Sequence, residues 1–256
     1  MQNPMELTGK TIIVTGAGQG IGSAIAELVH DLGGNVVALD RNAEGVTAFA
    51  AAKSERVLAV SADVSDAAAC ERALAAALEH FGAVHGLVNN AGITRTAMIE
   101  KMTREQWQAV LDVNLSGAFF MLQAVGKHMI ARAKEGDAAP GAIVNISSDA
   151  GRRGTMGQIN YGAAKAGLFG VTMSAAREWA RYGVRVNTIN FGVVDTPMTE
   201  TLRSDKFREQ YLAQIPLGRI STPAEVAQPV VFLLSNAASY ITGQHLSVNG
   251  GFVIGL

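Results

Sequence analysis

The amino-acid sequence predicts an α/β fold: one doubly wound domain in which a seven-stranded parallel sheet is flanked by helices on both faces. Short runs rich in β-branched residues alternate with Ala-rich segments of helical length, such as 21–32 and 66–80. This rhythm is typical of repeated β-α units, whose right-handed crossovers give parallel strands. No repeat or low-complexity linker marks a second domain. The predicted strands are 11–15, 35–39, 56–60, 85–89, 142–147, 184–189 and 245–249.

Composition narrows the function classes. The chain has 256 residues, of which 48% are hydrophobic and 17% charged, enough for one full core. A formal net charge of −1 provides no basic field for nucleic acid or an anionic membrane, and favours a small, nearly neutral partner. The single cysteine, Cys70, cannot close an intrachain disulfide. We find no secretion signal and no apolar run of membrane-spanning length, so we expect a cytoplasmic protein.

The first predicted strand runs into a glycine-rich turn that opens a helix. Glycines stand in a GxxxGxG pattern, which permits a tight bend and a close approach of the backbone to a pyrophosphate at the helix N-terminus. The alternative is a strand-to-helix connection without a ligand. The turn residues that we expect to contact a dinucleotide are Gly16, Gln19, Gly20, Ile21 and Gly22.

The second predicted strand ends in Asp40 and Arg41, two residues that argue for different cofactors. A carboxylate at this place accepts hydrogen bonds from the adenosine ribose of NAD and repels the 2′-phosphate of NADP. The Arg41 guanidinium could instead pair with that phosphate. We favour NAD, with NADP as the alternative, because Asp40 would oppose the phosphate at close range while the longer Arg41 side chain can turn away.

Polar residues also close the third and fourth predicted strands. Asp63 and Val64 follow the third, and Asn90 and Gly92 stand in the sequence NNAG after the fourth. Asp, Asn and Gly also favour simple turns. Since the carboxyl ends of parallel strands form the ligand-binding edge of such a sheet, repetition at four strand ends favours a cofactor site.

A predicted helix beginning near Asn160 carries Tyr161 and Lys165, one turn apart on the same face. A phenol with a pKa of about 10 can act as an acid or base at neutral pH if its anion gains about 3–4 kcal/mol of stabilisation. A lysine ammonium one turn away supplies positive charge for this. An ordinary pair on a helix face has the same spacing.

Ser148 strengthens the catalytic interpretation. It ends the fifth predicted strand, where its hydroxyl can donate a hydrogen bond to a substrate carbonyl. Its neighbour Ser147 faces the other side of the sheet by strand alternation. Asn114 lies inside a predicted helix, where asparagine is unfavourable. It is either a buried residue that satisfies backbone groups or a local helix irregularity that holds a proton-relay water.

With TGxxxGxG, NNAG, Asn114, Ser148 and YxxxK in this order, the sequence resembles the short-chain dehydrogenase/reductases from about residue 7 to its end. The resemblance implies a Rossmann-type fold and hydride exchange between a nicotinamide and a carbonyl or secondary alcohol. It implies that Tyr161 is the acid/base, that Lys165 lowers the Tyr161 pKa and binds the nicotinamide ribose, that Ser148 polarises the carbonyl, and that Asn114 holds the relay water.

Within that family the sequence is most similar to the 3-oxoacyl-acyl-carrier-protein reductase branch, through segments 89–96, 160–170 and 240–251. This implies an acyl-thioester substrate and an NAD(P)-dependent reductase. The alternative is an NAD-dependent dehydrogenase of a sugar, polyol, steroid or other secondary alcohol. A non-catalytic dinucleotide-binding protein is more remote, because the whole catalytic group is present.

The sequence departs from the branch at two places. Asp40 suggests NAD where fatty-acid reductases commonly use NADPH. Phe191 precedes Gly192 where proline is usual, and loss of proline should loosen this turn. Val194 and Thr196 still match family positions that contact the nicotinamide carboxamide, so we expect the cofactor site to be retained.

The resemblance divides the domain into a core at 7–195, a substrate lid at 196–216, and a C-terminal part at 217–256 with an assembly tail. The alternative to a lid is a solvated surface helix. The apolar positions of the segment, which could line a substrate pocket or equally anchor it on the core, are Met198, Leu202, Phe207, Tyr211 and Leu212. Arg152 and Arg153 are candidates for contact with an acidic carrier or anionic substrate. The family assembly implies a homotetramer, with a dimer as alternative. The five histidines show no metal-ligand spacing, so we expect no metal.

Overall fold

The computed structural model describes residues 3–53, 55–200, 209 and 211–255. The seven β-branched runs form one parallel sheet in the order β3-β2-β1-β4-β5-β6-β7. Helices cover both faces, so the predicted fold class is confirmed. The strands are β1 Thr11–Thr15, β2 Asn35–Asp40, β3 Val57–Ser61, β4 Gly86–Asn89, β5 Gly141–Ser148, β6 Val184–Phe191 and β7 His245–Val248.

Several helices begin at a residue whose side chain caps the first turn. Asp66 accepts the N–H of Ala68 at the start of α3, and Thr103 forms a capping box with Gln106 at the start of α4. The helices are α1 Gly20–Asp31, α2 Ala43–Ala51, α3 Ala67–Phe81, α4 Arg104–Leu111, α5 Gly117–Lys134, α6 Ala150–Arg153, α7 Ile159–Trp179 and α8 Pro223–Leu234.

The sheet is buried on both faces by two apolar layers. Along β1, Ile12 and Val14 point into the layer formed with α1, α2 and α8, whereas Ile13 points into the layer formed with α3, α5 and α7. Successive strand residues face opposite sides, so both sets must be apolar. This explains why the strands read as continuous hydrophobic runs rather than as alternating patterns.

One loop is shorter than the sequence suggests. We interpret 131–141 from the sequence as a surface loop, but α5 continues to Lys134 and β5 begins at Gly141. Alanine and arginine in this stretch are good helix formers. Arg132 also fixes the helix end, because its guanidinium donates to the carbonyls of Val84 and Pro140 and pairs with Asp137.

The helical run Arg104–Lys134 is long and apolar enough, by length and composition alone, to cross a membrane. Half of its most apolar 18-residue stretch is buried inside the protein. Met121, Val125 and Met129 are fully buried in the apolar layer formed with α3, α5 and α7. Burial of this kind is typical of a core helix.

The strand order also fixes where a ligand can enter. From β1 the chain first builds outward to β2 and β3, and then returns to β4 on the other side of β1. The crossovers on the two sides therefore diverge and leave a crevice at the carboxyl ends of β1 and β4. Doubly wound sheets bind ligands at this topological switch point.

Candidate active site

A cavity of about 400 Å³ opens at the carboxyl edge of the sheet, above β1 and β4. Of the sequence-predicted site residues, only Gly22 and Asn114 do not line it, and both lie directly behind its wall. The predicted residues in the lining are Gly16, Gln19, Gly20, Ile21, Asp40, Arg41, Asp63, Val64, Asn90, Gly92, Ser148, Tyr161, Lys165, Val194 and Thr196.

A cavity of about 460 Å³ lies at the opposite, amino edge, beside Lys10, His85 and Arg185. None of the predicted catalytic residues lines it. The Arg185 guanidinium is already engaged there, since it donates to the carbonyls of Leu233, among others, at the end of α8. We therefore assign the chemistry to the carboxyl-edge cavity.

The glycine-rich turn is built so tightly that side chains do not fit. Gly16 has φ +67°, in the left-handed region, and a Cβ on Gly22 would lie 2.0 Å from the Gly16 carbonyl oxygen. No side chain caps the start of α1, where Gln19 is the N-cap residue. The first N–H groups of α1 thus remain available for a ligand such as a pyrophosphate.

Asn90 and Thr15 join this turn to the fourth strand. The Asn90 side-chain amide donates to the carbonyls of Thr15 (3.0 Å) and Gly16 (3.3 Å). In return, the Thr15 hydroxyl accepts the backbone N–H groups of Asn90 and Ala91, both at 3.0 Å. Thr15 directly precedes the first glycine of the turn but is not among the site residues predicted from the sequence.

Asp40 is held rigidly at the rim of the cavity. One carboxylate oxygen accepts the N–H of Gly18 (3.0 Å) and the other accepts the N–H of Asn42 (2.9 Å). The Arg41 side chain is 77% exposed, and its guanidinium lies 3.9 Å from the carboxylate of Asp63. The pKa of Asp63 is lowered mainly by hydrogen bonds from the side chain and backbone of Ser65, and less by Arg41. Ionised carboxylates therefore dominate this rim.

The helix α7 brings Tyr161 and Lys165 to the cavity, and hydrogen bonds from the helix fix its position. Buried Asn160 donates to the carbonyls of Arg95 (3.0 Å) and Gln106 (3.0 Å), and its Oδ1 accepts the N–H of Tyr161. These bonds attach the first turn of α7 to the loop after β4 and to α4.

β5 presents its two serines to opposite sides, as strand alternation predicts. The Ser147 hydroxyl is buried and donates to the carbonyl of Lys165 (2.8 Å). The Ser148 hydroxyl faces the cavity near the phenol of Tyr161 and accepts the N–H of Ala150 (3.2 Å). Lys165 Nζ donates to the carbonyl of Ile146 (2.7 Å) and lies 5.6 Å from the centre of the Tyr161 ring.

The expected lowering of the Tyr161 pKa is not found. Burial raises the Tyr161 pKa, and the hydrogen bond with Ser148 offsets this only in part. Burial also lowers the Lys165 pKa to about 8. Lys165 does not lower the phenol pKa here, because removal from water penalises both charged forms and its ammonium is directed at a backbone carbonyl. Tyr161 is therefore a protonated acid at neutral pH.

Asn114 is a buried residue that bonds backbone groups, and it also lies at a local helix irregularity; its relay water stays a prediction. It lies in the π-helical segment Asp112–Ser116 between α4 and α5 and is 1% exposed. Its side chain accepts the N–H of Ile93 (2.8 Å) and donates to the Ile93 carbonyl (3.0 Å). A Cβ on Gly92 would lie 3.5 Å from Asn114 Oδ1 and 3.6 Å from Lys165 Nζ, so both polar groups flank the same glycine.

Phe191, which stands where proline is usual, is the last residue of β6. It is buried and pairs in register with Ser148 of β5 and Val248 of β7. The strand therefore extends through Phe191, and the predicted loosening of the turn after it stays a prediction. Beyond it, Thr196 caps the short helix Pro197–Thr199 at the cavity mouth.

Part of the predicted substrate lid, including Leu202 and Phe207, lies outside the described residues. The two arginines considered for carrier recognition bind the C-terminal segment instead. Arg152 donates to the Ser247 hydroxyl (2.8 Å), and the Arg153 guanidinium stacks 3.9 Å from the Phe252 ring centre. In the described part of the chain, no group of three or more His, Cys, Asp or Glu residues is arranged to hold a metal ion.

Comparison with known proteins agrees with this geometry. A family model described as "Enoyl-(Acyl carrier protein) reductase" matches residues 16–253. The chain is 41% identical over 247 residues to the 3-oxoacyl-[acyl-carrier-protein] reductase FabG of Vibrio cholerae, covering 96% of this chain and 98% of the relative. The chain belongs to the short-chain dehydrogenase/reductase family.

Other members of the short-chain dehydrogenase/reductase family show the same agreement. An acetoacetyl-CoA reductase of Synechocystis sp. is 42% identical over 245 residues, which cover 95% of this chain and 96% of the relative. The crystal structure of a 3-ketoacyl-(acyl-carrier-protein) reductase from Brucella melitensis, complexed with NADH, is 34% identical with a TM-score of 0.90. It covers 97% of this chain and 100% of that one. The protein is therefore an oxidoreductase that uses a nicotinamide cofactor.

Proposed function

We propose that this short-chain dehydrogenase/reductase reduces 3-oxoacyl thioesters to 3-hydroxyacyl thioesters with NADH. The observation that carries the proposal is that Ser148, Tyr161 and Lys165 together line one cavity wall, with the Lys165 ammonium 5.6 Å from the centre of the Tyr161 ring. The relatives named as 3-oxoacyl and acetoacetyl-CoA reductases support the substrate class.

In this mechanism, the bound nicotinamide supplies a hydride to the carbonyl carbon. Ser148 donates a hydrogen bond to the carbonyl oxygen and stabilises the developing alkoxide. Tyr161 gives its phenolic proton to that oxygen, so the carbonyl gains one hydride and one proton and becomes a secondary alcohol. Protonated Tyr161 is the form that this direction requires, and its raised pKa favours that form.

Lys165 and Asn114 return the proton. The Lys165 pKa of about 8 lets its ammonium release and regain a proton near neutral pH. Asn114, fixed by Ile93 on the far side of Gly92, holds the relay water beside it. Lys165 also hydrogen-bonds the nicotinamide ribose. Loss of the Asn114 side chain would slow reprotonation of Tyr161, and loss of Lys165 would in addition remove a contact with the nicotinamide ribose.

The residues at the rim and turn fit a dinucleotide. Gly16, Gly20 and Gly22, with Gln19 and Ile21, cradle the pyrophosphate at the uncapped start of α1. The remaining predicted contacts are Asp63 and Val64 for adenine, Asn90 and Gly92 for the ribose side, and Val194 and Thr196 for the carboxamide.

Asp40 supports NADH over NADPH. Its two oxygens are already oriented by the N–H groups of Gly18 and Asn42, and their remaining lone pairs can accept the ribose hydroxyls. The exposed Arg41 is drawn toward Asp63 rather than toward Asp40.

A second candidate is an NAD-dependent dehydrogenase of a sugar or another secondary alcohol. A solved structure from Brucella melitensis titled as a short-chain dehydrogenase/reductase of the glucose/ribitol dehydrogenase type is 36% identical, with a TM-score of 0.91. The same catalytic group serves both reactions, so only the substrate distinguishes them.

The deciding experiment follows the absorbance of NADH and of NADPH with acetoacetyl-CoA as substrate. We expect turnover with NADH that is lost in Tyr161→Phe and kept in the control Tyr182→Phe, since Tyr182 lies at the far end of α7. NADH binding without turnover of acetoacetyl-CoA, together with oxidation of a polyol by NAD, would replace the thioester proposal with the second candidate.

We propose that the domain divides at 7–195, 196–216 and 217–256 as the sequence suggests, and that it works as a cytoplasmic homotetramer. Apolar side chains on the outer faces of the two long helices support assembly: Phe119 of α5 is 42% exposed and Met173 of α7 is 47% exposed. Light scattering of the purified protein tests the tetramer against a dimer.

A further inference from the structure

Asn249 and Asp149 form a buried contact that none of the steps above uses. Asn249 Nδ2 donates to both carboxylate oxygens of Asp149, at 3.0 and 2.9 Å, and to the carbonyl of Val253 at 3.2 Å. Its Oδ1 accepts the N–H of Gly251 at 3.0 Å. One side chain therefore ties the C-terminal segment 249–253 to the residue that directly follows Ser148.

Asp149 governs how β5 ends. It is 3% exposed, its N–H donates to the carbonyl of Phe191, and its own carbonyl accepts the N–H groups of Arg152 and Arg153 as α6 begins. The Ser148 hydroxyl oxygen accepts the N–H of Ala150 in the same turn. Any rotation of the Asp149 backbone thus reorients the Ser148 hydroxyl.

Asn249 also packs against the loop after β6. A Cβ on Gly192 would lie 2.9 Å from Asn249 Cβ and 3.1 Å from its Cα, so the glycine rests directly on the asparagine. Gly192 and Phe191 line the same cavity as Ser148. Asn249 therefore contacts both walls of the cavity from behind, although it does not line the cavity itself.

We propose that Asn249, through Asp149, is a positioning residue that holds Ser148 and the Gly192 loop in register for hydride transfer. This inference rests on the proposed function. Burial raises the Asp149 pKa to about 6, whereas the hydrogen bond from Asn249 and the nearby guanidinium groups lower it. Among the described residues, the charged groups that act on Asp149 are Arg153 and Arg152 of α6. From β6 the contact is the Phe191 carbonyl alone among the described groups.

Asn249→Asp tests this by placing two carboxylates in contact. Such a pair shares one proton at mildly acidic pH and repels itself once both groups ionise. Compared with wild type at each pH, kcat of Asn249→Asp should be close to normal at about pH 6 and should fall about tenfold by about pH 8, since a small misplacement of a reacting group has a large effect.

Two further variants separate positioning from a general loss of structure. The reciprocal pair Asp149→Asn/Asn249→Asp again sets one amide against one carboxylate, and should restore kcat to within about threefold of wild type with no added pH dependence. Asn236→Asp is the matched control, because Asn236 is exposed at the amino edge, where it accepts a hydrogen bond from Lys10. The ratio of kcat for Asn236→Asp to kcat for wild type should not change with pH.

The inference is overturned if the ratio of kcat for Asn249→Asp to kcat for wild type does not change with pH. It is also overturned if kcat of the double variant remains at least about tenfold below that of wild type. Should Asn249→Asp not fold at the higher pH, the double variant alone decides on the same criterion. Wild-type turnover that Tyr161→Phe abolishes first establishes the proposed function. Without such turnover, the deciding measurement is a fluorescence titration with NADH, which compares the NADH affinity of Asn249→Asp with that of wild type at each pH. This comparison applies because the Gly192 loop borders the cofactor cavity.

Discussion

Replacing Asp40 with asparagine should shift cofactor preference from NADH toward NADPH. In the structure, each carboxylate oxygen of Asp40 accepts one backbone N–H, from Gly18 and from Asn42, at the cavity rim. Asparagine has the same shape but no charge, and its oxygen can accept only one of these two N–H groups. The substitution therefore removes charge at the rim while retaining the side-chain volume.

The magnitude follows from Coulomb's law. A phosphate on the ribose, next to a carboxylate that would bond the 2′-hydroxyl, lies about 4 Å away, where two unit charges repel by about 1 kcal/mol at the dielectric constant of water. The 2′-phosphate carries close to two charges, so Asp40 opposes it by about 2 kcal/mol. This corresponds to about a thirtyfold change in the ratio of kcat/KM for NADPH to that for NADH. Loss of one of the two backbone hydrogen bonds to residue 40 should weaken the binding of each cofactor by about 1 kcal/mol.

The assay is steady-state oxidation of each cofactor at low ionic strength with a fixed concentration of the carbonyl substrate. Asp31→Asn is the matched control, since Asp31 ends α1 with a largely exposed carboxylate away from the cavity. The reasoning would be refuted if Asp40→Asn changes the ratio of kcat/KM for NADPH to that for NADH by less than about threefold, because a repulsion of about 2 kcal/mol corresponds to a change of about thirtyfold. In that case Arg41→Ala would test the guanidinium as the selecting group.

Three further perturbations follow from the geometry. Gly22→Ala sets a Cβ against the Gly16 carbonyl, so NADH affinity in a fluorescence titration should fall at least about tenfold, while retained affinity would contradict the tight turn. Thr172→Val leaves the Asn145 amide without its acceptor and should lower the free energy of unfolding by about 1–3 kcal/mol, measured by chemical denaturation. Burial lowers the His85 pKa to about 4, so native stability falls as pH drops from about 6.5 to about 4. His85→Asn should reduce that pH-dependent loss, and parallel pH curves for both proteins would contradict it.

Local features of the fold were predictable because they depend on short-range pattern. The strand β5 is predicted at 142–147 and found at Gly141–Ser148, since apolar runs and turn residues mark strand ends in the sequence. The polar residues after β1 to β4 meet at one edge because parallel strands all point the same way. The irregularity at Asn114 was also visible, as a residue unsuited to a helix interior.

Contacts that depend on distant residues were not predictable in this way. Thr15 and Asn90 are 75 residues apart, and Asp149 and Asn249 are 100 residues apart. Their hydrogen bonds exist only once the sheet has formed. The prediction of a lowered Tyr161 pKa was wrong for a related reason. The sequence spacing places a lysine one turn away, but it does not report burial, which shifts the pKa of both groups.

The position of α7 depends on these long-range polar contacts more than on its apolar face. Its buried apolar positions include Ala164 and Leu168, and small side chains alone would allow the helix to slide along the sheet with little change in burial. Hydrogen bonds have defined distances and angles, so they remove that freedom even though each contributes only about 1 kcal/mol to stability. Thr172 bonds Asn145 in mid-helix, and Lys165 is bound through both its ammonium and its carbonyl to β5. The strand that carries Ser148 thus also fixes the helix that carries Tyr161, which is why both side chains line the same cavity.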